Sequence, residues 1–132
     1  MIVDASAVIA ILQREPERPA FLEAITSAEQ PMMSVVNHLE VAIKVDRNPD
    51  PIVARRADDL IKRLRIDLQP VTAEQAAIAR AAYRDFGKGS GHRAQLNFGD
   101  CFAYALAITT DKPLLYKGND FIHTDIRSAL RE

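Results

Sequence analysis

The sequence predicts an α/β protein, a three-layer α/β/α sandwich around a short and mostly parallel central sheet. Two observations predict it. Apolar runs of only three or four residues recur at Ile2–Asp4, Met32–Ser34, Ile66–Leu68 and Pro113–Tyr116. Stretches of helical length and amphipathic or apolar character separate them. Short strands divided by helices imply parallel β-α crossovers, which place helices on both faces of the sheet.

The elements follow in order. Ile2–Asp4 is the first strand, and Asp4 is also a favoured residue type for capping the helix expected over Ala5–Gln13. Pro16 breaks the chain, and a second helix spans Glu17–Ala28. Met32–Ser34 is the second strand, followed by a helix over Val35–Val45, a Pro49/Pro51 turn and a helix over Ile52–Leu64. Ile66–Leu68 is the third strand, closed by Pro70. Thr72 opens a helix that runs to Phe86, with Gln75 placed to complete a capping box. Gly87-Lys88-Gly89-Ser90-Gly91 is a flexible basic loop, Phe98–Thr109 an apolar helix and Pro113–Tyr116 the fourth strand.

At 132 residues the chain is expected to be one domain, residues 1–132, with enough length for a proper core. Its 48% hydrophobic and 27% charged residues are ordinary for a soluble protein. No apolar run approaches the ~20 residues that cross a bilayer, and no signal peptide is visible. The single cysteine, Cys101, cannot form an internal disulfide and suits a reducing cytoplasm; buried packing is its expected state. The lack of Trp and the low aromatic content argue against a base-stacking platform. The formal net charge of −1 hides an uneven distribution: an acidic first third, then a basic middle holding Arg55, Arg56, Lys62, Arg63, Arg65, Arg84, Lys88 and Arg93. Residues 55–65 read as a solvated helix face.

Four carboxylates fall at related places. Asp4 follows strand one, Glu40 lies in the helix after strand two, Asp100 opens the Phe98–Thr109 helix and Asp120 follows strand four. Each has an ordinary alternative. Asp100 stands three residues after Asn97, as in a capping box; Glu40 is spaced to pair with Lys44; Asp120 suits a turn. Parallel connections bring all four to one edge of the sheet, the edge where open α/β sheets bind ligands. Two carboxylates about 4 Å apart repel by roughly 4 kcal/mol at an effective dielectric near 20. Such a cluster calls for protons or a cation, and an all-oxygen donor set selects Mg²⁺, with Mn²⁺ as substitute, over Zn²⁺. His38 and His123 stand alone without zinc spacing. A carboxylate-held divalent metal suits in-line hydrolysis of a phosphodiester.

The pattern resembles the PIN-domain ribonucleases, in particular the VapC toxins of bacterial toxin–antitoxin pairs. The resemblance is carried by Ile2-Val3-Asp4-Ala5-Ser6-Ala7, by Ser34 through Glu40, by Leu96 through Ala107 with its Gly99-Asp100 step, and by Leu114 through Phe121. It implies a Mg²⁺ pocket lined by Asp4, Glu40, Asp100 and Asp120, with Asn119 sharing or taking the place of Asp120. It implies help from the Ser6 or Ser34 hydroxyl in placing substrate or water. It further implies an RNA substrate, products ending in 3′-hydroxyl and 5′-phosphate, a homodimer and a cognate antitoxin. The resemblance together with position adds Lys88, His92 and Arg93 as expected RNA-phosphate contacts, since the basic loop leads straight into the Asp100 segment; an ordinary solvated loop is the alternative.

Two other classes compete. A phosphotransfer enzyme with Asp4 as nucleophile would place a second acid two residues on, where Ser6 stands, and a receiver domain would need an acidic pair on an earlier strand. A non-catalytic binding module, docking a basic peptide on its acidic edge, remains open on the sequence.

Overall fold

The protein was analysed as a computed structural model that describes residues 1–130. Its elements run β1 (Ile2–Val3), α1 (Ala5–Leu12), α2 (Arg18–Ser27), β2 (Met32–Ser34), α3 (Val35–Asp46), α4 (Pro51–Arg63), β3 (Asp67–Gln69), α5 (Ala73–Phe86), α6 (Phe98–Thr110) and β4 (Leu114–Leu115). The four strands form one sheet in the order β3-β2-β1-β4, with all neighbours parallel.

Because side chains alternate across a strand, adjacent residues feed opposite layers. Val3, Met33 and Leu115 join a core with α1 to α4, including Val8, Ile11, Phe21, Ile25, Val41 and Ile61. Ile2, Met32 and Leu114 join a second core with α5 and α6, including Ala79, Ala82, Leu96, Ala103, Leu106 and Phe121. Two-residue strands therefore suffice to separate two helical layers, as the three-layer class requires.

The sheet's two edges differ. Beside β4, the Leu114 N–H donates to the Arg127 carbonyl and the Leu114 carbonyl accepts from the Ala129 N–H, each at 2.9 Å. Residues 127–129 thus cover that edge. On the other side, β3 is short, carries Asp67 and Gln69, and runs into Pro70.

Two local expectations are revised. The third strand starts at Asp67 and not at Ile66, because Ile66 N–H still donates to the Ile61 carbonyl at 3.2 Å and Arg65 turns the chain at φ 54°. The end of α4 therefore claims the residue that the apolar run assigned to the ladder. At α5, the Thr72 hydroxyl accepts from Gln75 N–H at 3.1 Å, while Gln75 itself is buried. The reciprocal capping box forms at α6, between Asn97 and Asp100.

The direction of each element fixes the site. β1 and β2 lead directly into α1 and α3, so those helix N-termini stand at the carboxyl edge of the sheet. Helix α6 precedes β4 and runs against the strands, which brings its N-terminus to the same edge.

Candidate active site

Asp4 is the innermost acid. Its N–H donates to the Leu115 carbonyl at 2.9 Å, which ties β1 to β4, and its side chain caps α1. Asp4 Oδ2 accepts from Ser6 N–H at 3.1 Å and from the Ser6 hydroxyl at 2.6 Å. Only 3% of Asp4 is exposed. Burial raises its carboxyl from 3.8 to about 6; the Ser6 hydrogen bonds oppose this and the Glu40 charge adds to it. The Ser6 hydroxyl also accepts from Lys117 N–H at 2.9 Å, so one small side chain joins the start of α1 to the segment beyond β4. Lys117 Nζ in turn meets Glu15 at 3.0 Å and Glu17 at 3.4 Å.

Asp100 occupies the third position of α6. Its Oδ2 accepts from Asn97 N–H at 3.1 Å and its own N–H donates to Asn97 Oδ1 at 2.9 Å. The capping role expected as an alternative to a site role thus coexists with a place in the acidic cluster. Burial is the main reason that the Asp100 carboxyl is raised to about 8; the Asp4 charge and a hydrogen bond with Asp120 push the same way, while the Asn97 N–H opposes.

Glu40 lies on α3 and turns toward Asn37 and α6, not toward Lys44. Asn37 Nδ2 donates to Glu40 Oε1 at 2.8 Å and to the Gly99 carbonyl at 3.0 Å. Gly99 lies so close to Glu40 that a Cβ added there would overlap both carboxylate oxygens. Ser34 is fully buried, and its hydroxyl accepts from Val36 N–H at 3.3 Å at the start of α3.

Asp120 is exposed and reaches the cluster through Asp100; Asn119 is exposed beside it. Charge effects link Glu40 to Asp4, Asp4 to Asp100 and Asp120 to Asp100. The basic loop stands apart from this set. A neck made by Lys88 N–H to the Leu96 carbonyl (2.9 Å) and Leu96 N–H to the Phe86 carbonyl (2.8 Å) closes it. Lys88 and Arg93 are exposed. His92 packs edge-on against Phe86, with centroids 5.0 Å apart, and its Nδ1 accepts from Ala94 N–H at 3.0 Å. Cys101 is buried with its thiol pushed up to about 11, chiefly by burial, which makes it an inert packing residue.

Among the described residues no three Asp, Glu, His or Cys side chains close into a preformed metal cage. Mg²⁺ does not require one, because it keeps several waters and is held by one or two carboxylates together with substrate phosphates. The donor set fits it: oxygen only, with the carboxyls of Asp4 and Asp100 buried.

Sequence reasoning gave no role to Asn37 or Lys117, and took Gly99 only as part of the Gly99-Asp100 step. Asn37 and Glu40 stand at i and i+3 and hence on one helix face, a signal present in the sequence. The contact that gives this pair its meaning lies 62 residues away at Gly99.

A family model described as the PIN domain matches residues 1–127. The ribonuclease VapC28 of Mycobacterium tuberculosis is 51% identical over 130 residues, which cover 98% of each chain. The ribonuclease VapC42 of the same species is 44% identical over 129 residues, again 98% of each. Among solved structures, VapC20 of M. tuberculosis, described as a sarcin-ricin-loop-cleaving toxin, superposes with a TM-score of 0.73 at 15% identity, covering 99% of this chain and 98% of that one. VapBC2 of Rickettsia felis, solved with a DNA fragment of its promoter, gives 0.75 at 12% identity over 96% and 94%. The structural likenesses speak for the fold, and the identities extend over nearly the whole length. The chain belongs to the PIN-domain family, among its VapC ribonucleases.

Proposed function

We propose that this chain is a Mg²⁺-dependent endoribonuclease that acts in the cytoplasm as the toxin of a toxin–antitoxin pair. The observation that carries the reading is that Asp4 and Asp100, at the carboxyl edge of the sheet, are two buried carboxyls raised to about 6 and about 8. Resisted ionisation of this kind marks a site built for positive charge. Its kinship with the VapC ribonucleases makes RNA the substrate class.

Asp4, Glu40, Asp100 and Asp120 would hold the metal. When bound, Mg²⁺ polarises the phosphoryl group, helps deprotonate water and steadies the leaving alkoxide. The chain's own residues set the geometry. Ser6 fixes the Asp4 carboxylate and Asn97 fixes one oxygen of Asp100. Asp120, exposed at the rim, is placed to meet incoming substrate, with Asn119 beside it. Lys88 and Arg93 supply exposed positive charge for RNA phosphates, whereas the Nδ1 of His92 is already engaged. Ser34 serves the start of α3. Mn²⁺ would substitute for Mg²⁺ because it accepts the same hard oxygen donors.

A homodimer and a cognate antitoxin complete the proposal. Val35, Leu39 and Ile43 make an exposed apolar stripe at helical spacing along α3, a surface suited to a protein partner.

The test is cleavage of total cellular RNA by the purified, partner-free protein with Mg²⁺, with EDTA, and with Asp100→Asn in parallel. Discrete fragments that need both metal and Asp100 are expected, and mapping their ends gives the target. A folded protein that neither cleaves RNA nor binds Mg²⁺ would mean that the acidic edge is a docking surface for a basic peptide.

A further inference from the structure

Asn37 is fully buried, and nothing in the catalytic reading above uses it. Its carboxamide orientation is dictated by its neighbours: Nδ2 faces two acceptors, Glu40 Oε1 at 2.8 Å and the Gly99 carbonyl at 3.0 Å, which only the NH₂ end can satisfy. Asn37 Oδ1 is buried and has no hydrogen-bond partner among the described residues. A side chain kept for packing would not leave half of its polar capacity unused in the interior. What the amide achieves is a join between two helices at one carboxylate. It holds Glu40, one turn further along α3, against the first turn of α6, where Asp100 sits one residue beyond Gly99.

Gly99 supplies the second half of the observation. It has an ordinary helical backbone, and the reason for glycine is space: a Cβ there would occupy the position of the Glu40 carboxylate. The α6 backbone has been cleared at the one place where the Glu40 head group rests.

We propose that Asn37 and Gly99 form a clamp that fixes the Glu40 carboxylate beside the Asp4–Asp100 pair, with Asn37 as a positioning residue acting through Glu40. The inference rests on the metal-dependent ribonuclease reading, and it assigns that site a specific supporting contact. An unclamped Glu40 has three side-chain torsions free to carry its carboxylate into solvent. Fixed by Asn37 and seated on Gly99, it faces the cluster in one orientation, and the metal need not order it on binding.

The test uses the full chain free of partners, Mn²⁺ as the probe, and four proteins: wild type, Asn37→Ala, Glu40→Ala and the double variant. Isothermal titration reads Mn²⁺ affinity, thermal melting reports folding, and NMR follows the Asn37 side-chain NH₂. Asn37→Ala is expected to weaken Mn²⁺ binding about tenfold, as loss of a ligand's supporting partner commonly does. In the Glu40→Ala background the same change is expected to matter less than about twofold, because the residue through which it acts is gone. An equal loss in both backgrounds, or an unchanged affinity, overturns the clamp. Gly99→Ala covers the case in which Asn37→Ala does not fold. There the displaced group is the flexible end of a side chain, so melting should stay near wild type while Mn²⁺ affinity falls about tenfold. Wild-type affinity in Gly99→Ala overturns the proposal. A wild-type protein that binds no Mn²⁺ and cleaves no RNA defeats the ribonuclease reading instead. The Asn37 NH₂ signal then decides the clamp alone: it should be slow to exchange in wild type and faster in Glu40→Ala, and an indifferent signal rejects it.

Discussion

Asp4 and Asp120 both follow a strand at the same edge of the same sheet, yet they belong to differently built halves of the site. Asp4 is 3% exposed, capped onto α1, hydrogen-bonded by Ser6 and tied through its backbone to β4. Asp120 lies in an exposed loop, where its charge bears on Asp100. The inner half, with Asp4, Glu40 and Asp100, is held by secondary structure and by contacts between elements distant in sequence. The outer half, with Asn119, Asp120, Lys88 and Arg93, is carried by loops. Rigid elements hold groups in place, and loops meet what arrives from solvent. On the proposed function this difference becomes a division of labour, with charge placement inside and substrate contact at the rim.

The largest effect that would sharpen this contrast is in turnover. Asp4→Asn and Asp100→Asn should each lower the rate of RNA cleavage by roughly 10²–10³-fold, reflecting the several kcal/mol that a polarising cation supplies. Asp120→Asn should cost only about tenfold, nearer the loss of a supporting contact. Single-turnover rates on one mapped RNA would decide, and equal losses at Asp4 and Asp120 would erase the distinction.

Stability against pH should follow the inner half. The Asp4 and Asp100 carboxyls hold their protons more tightly in the folded protein than in the unfolded chain, with values of about 6 and about 8 against 3.8. The stability this gives the metal-free protein is therefore complete below pH 3.8 and is lost as pH rises through about 6 and then about 8. Melting with EDTA should show Tm falling over that window. Asp100→Asn should flatten the fall and raise Tm near pH 8 by roughly 5 °C, equivalent to about 1–2 kcal/mol. Asp120→Asn should leave most of the slope in place. A metal-free protein that gains stability from pH 5 to pH 8 would contradict the description of the inner half.

The smallest effect belongs to the basic loop. Lys88→Ala and Arg93→Ala should each raise KM about two- to threefold with kcat unchanged and reduce the salt dependence of RNA binding, as the loss of single phosphate contacts does. A fall in kcat would move the loop into the inner half.

Much of this architecture could be read from the sequence because local rules and topology agree. Short strands, the proline breaks and the caps at Asp4, Thr72 and Asn97 each mark boundaries through local chemistry. Parallel crossovers then carry four acids to one edge without any knowledge of side-chain contacts. Asn37 and Gly99 could not be read in the same way. The burial of Asn37 and the close approach of Glu40 to Gly99 arise only when α3 packs on α6, and no local pattern encodes that distance. Asp100 shows a related limit, since capping residue and site residue looked like alternatives and the carboxylate's two oxygens allow both. His92 shows the reverse: the basic loop suggested an RNA-phosphate contact, and contacts with Phe86 and Ala94 hold the ring in place.

The strip formed by residues 127–129 along β4 has a consequence for the protein as a solute. An uncovered strand invites another chain to pair with it, and repeated pairing builds insoluble fibres. Here one flank is shut by the chain's own backbone, and the other offers only the three residues Asp67–Gln69, followed by Pro70. With both flanks finished in this way, the sheet presents among the described residues no long unpaired strand for another chain to extend.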